Sequence, residues 1–118
     1  MAETPRVSAI MMDCNDMEAM VEFWGALLDL EVAGRYPEFV FMSKVNGDGP
    51  TLGFQIVPEA KAVKNRVHLD LASPDREAVV ERVIELGGKR LADHGDDAFK
   101  WITCADSQGN EFDVADAE

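Results

Sequence analysis

Between Met17 and Leu28 the apolar residues recur three and four positions apart. Met17, Met20, Val21, Trp24, Leu27 and Leu28 make one continuous stripe, the spacing of an amphipathic helix. Asn15 or Asp16 is placed to cap its N-terminus, with an acidic residue in the first turn. The segment before it, Val7–Cys14, is short, apolar and closed by a turn-prone Asn15-Asp16, which predicts a strand. Leu30–Gly34 and Glu38–Ser43 read as two more short strands. The dense turn signal Asn46-Gly-Asp-Gly-Pro50 predicts a hairpin between Glu38–Lys44 and Thr51–Val57.

The same order then repeats. Arg66–Ala72 reads as a strand, and Ser73-Pro74 as a helix start, with Ser73 the N-cap and Pro74 the first helical residue. That helix runs to Leu86 and stops at Gly87-Gly88. Lys89–Asp93 is predicted as a strand, Asp93–Asp97 as a turn that holds His94, and Phe99–Cys104 as a strand. Asp106–Asn110 is a tight turn before the last strand, Glu111–Val114. Each half therefore reads as strand, helix and three strands.

The repeat is visible in the residues themselves. Sliding Asp16 onto Asp75, an offset of 59, pairs Asp16–Leu28 with Asp75–Gly87 and gives six identities: Asp16/Asp75, Glu18/Glu77, Ala19/Ala78, Val21/Val80, Glu22/Glu81 and Leu27/Leu86. It also lays Ala9 on His68. An offset of 58 lays Phe54-Gln55-Ile56 on Phe112-Asp113-Val114. Two such units pack around a pseudo-two-fold axis, which makes Ala9, Gln55, His68 and Asp113 candidates for one shared cavity. The expected organisation is a single α+β domain of two tandem βαβββ modules, 6–57 and 66–115, joined by a linker at 58–65.

Composition narrows the partners. The chain has 118 residues, 47% of them apolar, with 11 basic against 23 acidic side chains and a net charge of −12. A phosphate-binding stripe has little to draw on, so nucleic acid is excluded as a partner. No stretch is long and apolar enough for a membrane span, and the start of the chain lacks a basic-then-apolar signal, so a soluble cytoplasmic protein is expected. Cys14 and Cys104 have no metal-binding or redox spacing and are expected as free, half-buried thiols. Lys61, Lys64 and Arg66 make the linker locally basic, either as a solvated loop or as a gate that contacts an anion.

Several segments, taken in order, resemble the vicinal oxygen chelate superfamily of glyoxalase, bleomycin-resistance and extradiol dioxygenase proteins. These are Met11–Asp16 leading into Phe23-Trp24 and Leu27-Leu28, Gly53–Pro58, Lys64–Asp70, Leu86–Gly88 and Asp106–Phe112. The chain is most similar to the small glyoxalase-like domains. The resemblance implies that each βαβββ module curls into a cupped mixed sheet, that the protein is a homodimer, and that any metal ligands fall at Ala9, Gln55, His68 and Asp113. Ser107 and Gln108 depart from the family's turn, which carries Pro and an acidic residue there.

The chemistry of those four positions is uneven. His68 and Asp113 are competent ligands for Zn, Ni, Mn, Co or Fe, Gln55 offers a neutral oxygen, and Ala9 offers nothing. Familiar catalytic sites want three good protein ligands, or two histidines and a carboxylate. The expectation is a small-molecule-binding protein without a full catalytic metal site, holding its ligand with Gln55, His68, Asp113, Trp101, Phe39 and Phe41. The alternative is a divalent-metal-dependent lyase, isomerase or dioxygenase in which His68 and Asp113 are catalytic. Phe39 and Phe41 alternate on one strand, and Phe99 and Trp101 on another, which leaves open which faces line the cavity.

Overall fold

The computed structural model describes residues 3–116. Module one comprises β1 (Ala9–Cys14), α1 (Met17–Leu28), β2 (Val32–Arg35), β3 (Phe39–Lys44) and β4 (Thr51–Ile56). Module two comprises β5 (Asp70–Ser73), α2 (Arg76–Glu85), β6 (Lys89–Gly95), β7 (Lys100–Ala105) and β8 (Glu111–Asp116). The two sheets have the same order, β1-β4-β3-β2 and β5-β8-β7-β6. In each, the first strand pairs in parallel with the last, and the remaining ladders are antiparallel. This is the predicted pair of cupped βαβββ modules.

The duplication extends to local chemistry. Asp16 caps α1 by accepting from the Ala19 N–H at 3.0 Å, and Asp75 caps α2 by accepting from the Ala78 N–H at 3.1 Å. The predicted cap at Ser73 is therefore corrected by two residues. Ser73 Oγ instead accepts from the Asp75 N–H, and the helix starts where an extended Asp75 turns its carboxylate onto the first turn. A β-bulge interrupts β2–β3 between Val32 and Gly34, and another interrupts β6–β7 between Arg90 and Ala92. Glu18 in the first turn of α1 pairs with Arg35 of β2, as Glu77 of α2 pairs with Arg90 of β6.

Alternation on the strands divides each sheet into a helix-covered face and an open face. Val40, Met42, Leu52, Phe54, Ile102, Cys104, Phe112 and Val114 are buried under the helices. The α1 stripe packs as predicted, but Phe23, outside that stripe, is also fully buried. The reason is that α1 covers more than its own sheet. Phe23 and Trp24 meet Phe112 of β8 edge-on, at ring separations of 6.1 and 4.9 Å. Trp24 Nε1–H donates to buried Asp106 at 3.0 Å, and Asp106 also accepts from the Gln108 and Asn110 N–H groups. One core thus spans both modules. Side chains reinforce the junction: Asn110 donates to the Asp13 carbonyl, and Gln108 accepts from the Asn15 N–H.

Two strands differ from the sequence pattern. The predicted Arg66–Ala72 strand is observed as Asp70–Ser73, paired in parallel with Asp113–Asp116, and ahead of it the Leu69 carbonyl accepts from the Asp113 N–H. The Asn65 N–H goes instead to the Glu111 carboxylate. At the other end of the module, β6 runs on to Gly95, beyond the turn predicted at Asp93–Asp97. The actual turn is built by Asp96, whose carboxylate accepts from the Ala98 and Phe99 N–H groups. Gly95 adopts φ 98°, and a Cβ there would collide with the Phe99 carbonyl oxygen. The extension carries His94 out of the turn and onto a strand.

Candidate functional site

The open face of module two carries a connected polar array. Thr103 on β7 is opposite Asp113 on β8, and its hydroxyl donates to Asp113 Oδ1 at 2.7 Å. Since that proton is committed to the carboxylate, His94 Nε2 must carry the hydrogen of its 3.1 Å contact with Thr103 Oγ1. His94, opposite Trp101 in the β6–β7 ladder, stacks on that indole at 5.2 Å. Trp101 in turn lies 5.7 Å from Phe99.

His68 stands at the other end of the array. Its Nδ1 is 3.0 Å from Asp70 Oδ1 and 3.6 Å from Asp113 Oδ2. Both partners are acceptors, so Nδ1 carries a hydrogen in these contacts. His68 is 42% exposed, while Asp113 is only 16% exposed and held in place by Thr103. An aromatic wall thus leads through His94, Thr103 and Asp113 to an accessible imidazole. Such a surface can orient a small polar molecule and exchange a proton with it.

The ladders change the equivalence expected between modules. Met11 is opposite Gly53, and Asp70 is opposite Asp113. Gly53 is likewise opposite Phe41, and Asp113 opposite Thr103. By register the counterpart of Asp113 is therefore Gly53, at an offset of 60, and not Gln55. Gln55 corresponds to Ala115, because its ladder partner Phe39 corresponds to Trp101. It lies across from Asp13 and Phe39 on the open face of module one, and no hydrogen bond joins it to His68 or Asp113 among the described residues. Ala9 lies across from Thr51. Around Phe41 module one's open face is aromatic: Phe39 stacks on Phe41 at 6.2 Å, and Tyr36 meets Phe41 edge-on at 6.0 Å. Tyr36, Pro37, Glu38, Phe39 and Phe41 line an open depression of about 590 Å³ there.

Of the predicted site residues, the structure joins His68 and Asp113 directly and Trp101 through His94. It leaves Gln55, Phe39 and Phe41 on the other sheet. His94, Thr103 and Asp70 were missed. Asp70 was detectable, two positions along an extended segment from His68 and so on the same side. His94 and Thr103 depend on a register that alternation alone does not set.

A second cavity, of about 420 Å³, lies at the module junction between β1 and the linker, with Met12, Trp24, Arg66 and His68 in its wall. Two of the linker's basic groups are engaged at its rim: Lys61 and Lys64 both pair with Glu111, at 3.6 and 3.3 Å. The Asn65 N–H, with the two lysines behind it, holds the Glu111 carboxyl below its ordinary range. The thiols are inert by environment. Burial pushes Cys104 up to about 11 and also raises Cys14, so neither is a nucleophile at neutral pH.

His68, Asp70 and Asp113 each offer one ligand atom, all within 4.8 Å of one another. One imidazole and two carboxylates suit a borderline or hard divalent cation. The two-module ligand set does not fit this chain, since Ala9 and the register counterpart Gly53 bring no donor.

Comparison with known proteins agrees with this architecture. A family model described as a glyoxalase-like domain matches residues 9–115. No curated protein sequence matches the chain. Among solved structures, a glyoxalase/bleomycin resistance protein/dioxygenase family enzyme from Burkholderia phytofirmans PsJN superposes with a TM-score of 0.77 at 17% identity, covering 97% of this chain and 100% of that one. A glyoxalase-related enzyme from Fulvimarina pelagi gives 0.74 at 20% identity, covering 97% and 89%. The fosfomycin resistance protein FosX of Listeria monocytogenes, crystallised with Mn(II) and 1S,2S-dihydroxypropylphosphonic acid, gives 0.77 at 11% identity, covering 97% and 90%.

Proposed function

Given that the chain belongs to the glyoxalase-like domain family of the vicinal oxygen chelate superfamily, we propose that it binds a small molecule on the open face of module two. The observation that carries this reading is the array from Trp101 through His94, Thr103 and Asp113 to His68. It combines flat apolar surface with a few oriented polar groups, the usual make-up of a ligand site. The ligand is a small molecule with an aromatic or apolar part, and its polar end meets the exposed His68. We extend the reading to a cytoplasmic homodimer. The exposed aromatic face of module one is apolar surface that a second copy can cover, and two unpaired thiols suit a reducing compartment. Among the described residues no helix is long and apolar enough to cross a membrane.

The test is a ligand-observed NMR screen of EDTA-treated protein against small aromatic and heteroaromatic compounds. Binders that lose affinity at least tenfold in both His68→Ala and Trp101→Ala support the reading. Binders that ignore both substitutions, or a screen without binders, overturn it.

A second reading, a metal-dependent lyase, isomerase or dioxygenase, is favoured by the convergence of His68, Asp70 and Asp113. A metal held there supplies Lewis-acid polarisation of a bound oxygen. The protein's own part is to anchor Asp113 through Thr103 and to present His68 to solvent. Turnover that appears with metal and is lost in His68→Ala supports this reading, and turnover unaffected by EDTA removes it.

A further inference from the structure

We infer that the open face of module two takes a flat heteroaromatic molecule that donates hydrogen bonds through N–H groups, and turns away one that carries a carboxylate or a phosphate. This inference names the ligand class of the first reading above and rests on it. The ladder register lays out the face in rows. One row is Ala92, Thr103, Asp113 and Asp70, and the next is His94, Trp101, Ala115 and Ala72. In the second row the stacked His94 and Trp101 stand on β6 and β7, while β8 and β5 bring only methyl groups beside them. The surface next to the indole is therefore low, which leaves a shelf for a flat ring against an aromatic wall. Successive rows on one face lie about 7 Å apart along a strand. A substituent on a ring held there reaches the carboxylates of the first row.

The hydrogens around the first row are already spent. The Thr103 hydroxyl donates to Asp113, the His94 Nε2–H meets Thr103 Oγ1, and His68 Nδ1 contacts both Asp70 and Asp113. What remains open is acceptor capacity, since each carboxylate has about four lone-pair sites. His68 Nε2 can set at most one hydrogen against these. Charge selects in the same direction. Within the two rows and His68 beside them, only imidazoles can carry positive charge. Lys100 shares the alternation of Ile102, which is buried under the helices, and Arg90 is held by Glu77 and Asp93. Lys89 lies a row further on, opposite Ala105, where Lys61 and Lys64 also pair with Glu111. Even with His68 protonated, two carboxylates face one imidazolium. A ligand carboxylate meets uncompensated negative charge there, whereas an N–H meets a charged acceptor. Asp113 is already oriented by Thr103, so little ordering is left for the ligand to impose.

The experiment holds the ring constant and changes its polar group. Quinoline, 2-aminoquinoline and quinoline-2-carboxylate are titrated into the full-length protein in excess EDTA, read by ligand-observed NMR and calorimetry. Wild type, Trp101→Ala, Asp113→Asn and Asp70→Asn are compared, with circular dichroism and melting checked for each. The expected order is 2-aminoquinoline, then quinoline, then quinoline-2-carboxylate, with at least tenfold between the first and the last. Trp101→Ala should weaken all three. Asp113→Asn should bring the amine and the carboxylate to within about threefold of each other, and the exposed Asp70→Asn, which leaves the core untouched, should narrow the same gap. A carboxylate that binds as tightly as the amine, with both still dependent on Trp101, overturns this inference and leaves the first reading standing. A gap that neither aspartate substitution narrows also overturns it. If none of the three binds, this inference falls, and the broader screen described above decides whether the first reading falls with it.

Discussion

The two modules share one face and differ on the other. Under the helices they are interchangeable in kind: an aspartate caps each helix, a glutamate in the first turn grips the next strand, and a bulge falls at the same point. On the open faces the same ladder positions hold opposite chemistry. Met11, Gly53 and Phe41 in module one correspond to Asp70, Asp113 and Thr103 in module two. The helix-covered faces merge into one core, so a change there disturbs both halves. The open faces do not enter that core, and each can change alone. The duplicated scaffold thus carries a polar site on one side and an aromatic surface on the other.

The largest effect is expected where the modules are joined. Trp24→Ala removes a fully buried indole that packs on Phe112, and it strips the buried Asp106 carboxylate of a donor. Loss of a buried aromatic costs about 3–5 kcal/mol, and the Asp106 oxygen left without its donor adds to that. Chemical denaturation should show a large fall in midpoint and a single transition, because the core is common. Two resolved transitions would mean that the modules fold independently and that the shared core is overstated.

Gly53→Asp puts module two's carboxylate into module one. A Cβ at Gly53 would lie 2.5 Å from Met11 Sδ and 3.2 Å from Phe41 Cδ1. Overpacking of this kind costs about 1–3 kcal/mol. Met11→Ala opens the space, so the double variant should be more stable than the two single losses predict. A double-mutant cycle in urea measures that coupling. If the losses simply add, Met11 is not what keeps position 53 a glycine.

The sequence carried the modules clearly and the site only in part. Helices announce themselves through periodicity and capping over a dozen residues, and the offset of 59 is exact along them. Past the helices the offset drifts, to 60 from Gly53 to Asp113 and 62 from Phe41 to Thr103, because the loops differ in length. That drift is why Gln55 looked like the partner of Asp113. Period-two alternation tells a strand from a helix but leaves its register free by two residues. His94 was hidden for a related reason: its surroundings are turn-forming, yet Asp96 delays the turn and the strand continues past the histidine.

Thr103→Val tests the polar array with almost no change of shape. It deletes the hydrogen bond to Asp113 and leaves the His94 Nε2–H to water. A stability loss of about 1 kcal/mol is expected, together with weaker 2-aminoquinoline binding as Asp113 loses its anchor. The counterpart substitution, Phe41→Leu, should leave 2-aminoquinoline binding unchanged. Equal effects on that affinity would erase the difference between the two faces.

The smallest effect concerns how the linker is held. Glu111 begins β8 and corresponds by register to Thr51, which begins β4 and has no carboxylate to offer. Only in module two does this first position gather a segment: Glu111 accepts from the Asn65 N–H at 3.0 Å and pairs with Lys64 and Lys61. Those contacts hold its carboxyl below the ordinary 4.5, against a smaller opposing push from burial. A depressed folded-state value means that the native state binds the proton less readily than the unfolded chain. The resulting stability is fully present above about pH 4.5 and is lost as pH falls through the folded-state value. Glu111→Gln should therefore be less stable than wild type at pH 7, by less than about 1 kcal/mol for contacts this close to solvent. The gap should narrow as pH drops from 5 to 3. Urea unfolding of both proteins across that range measures it, and a gap that stays constant with pH would mean that Glu111 holds the linker by shape rather than by charge.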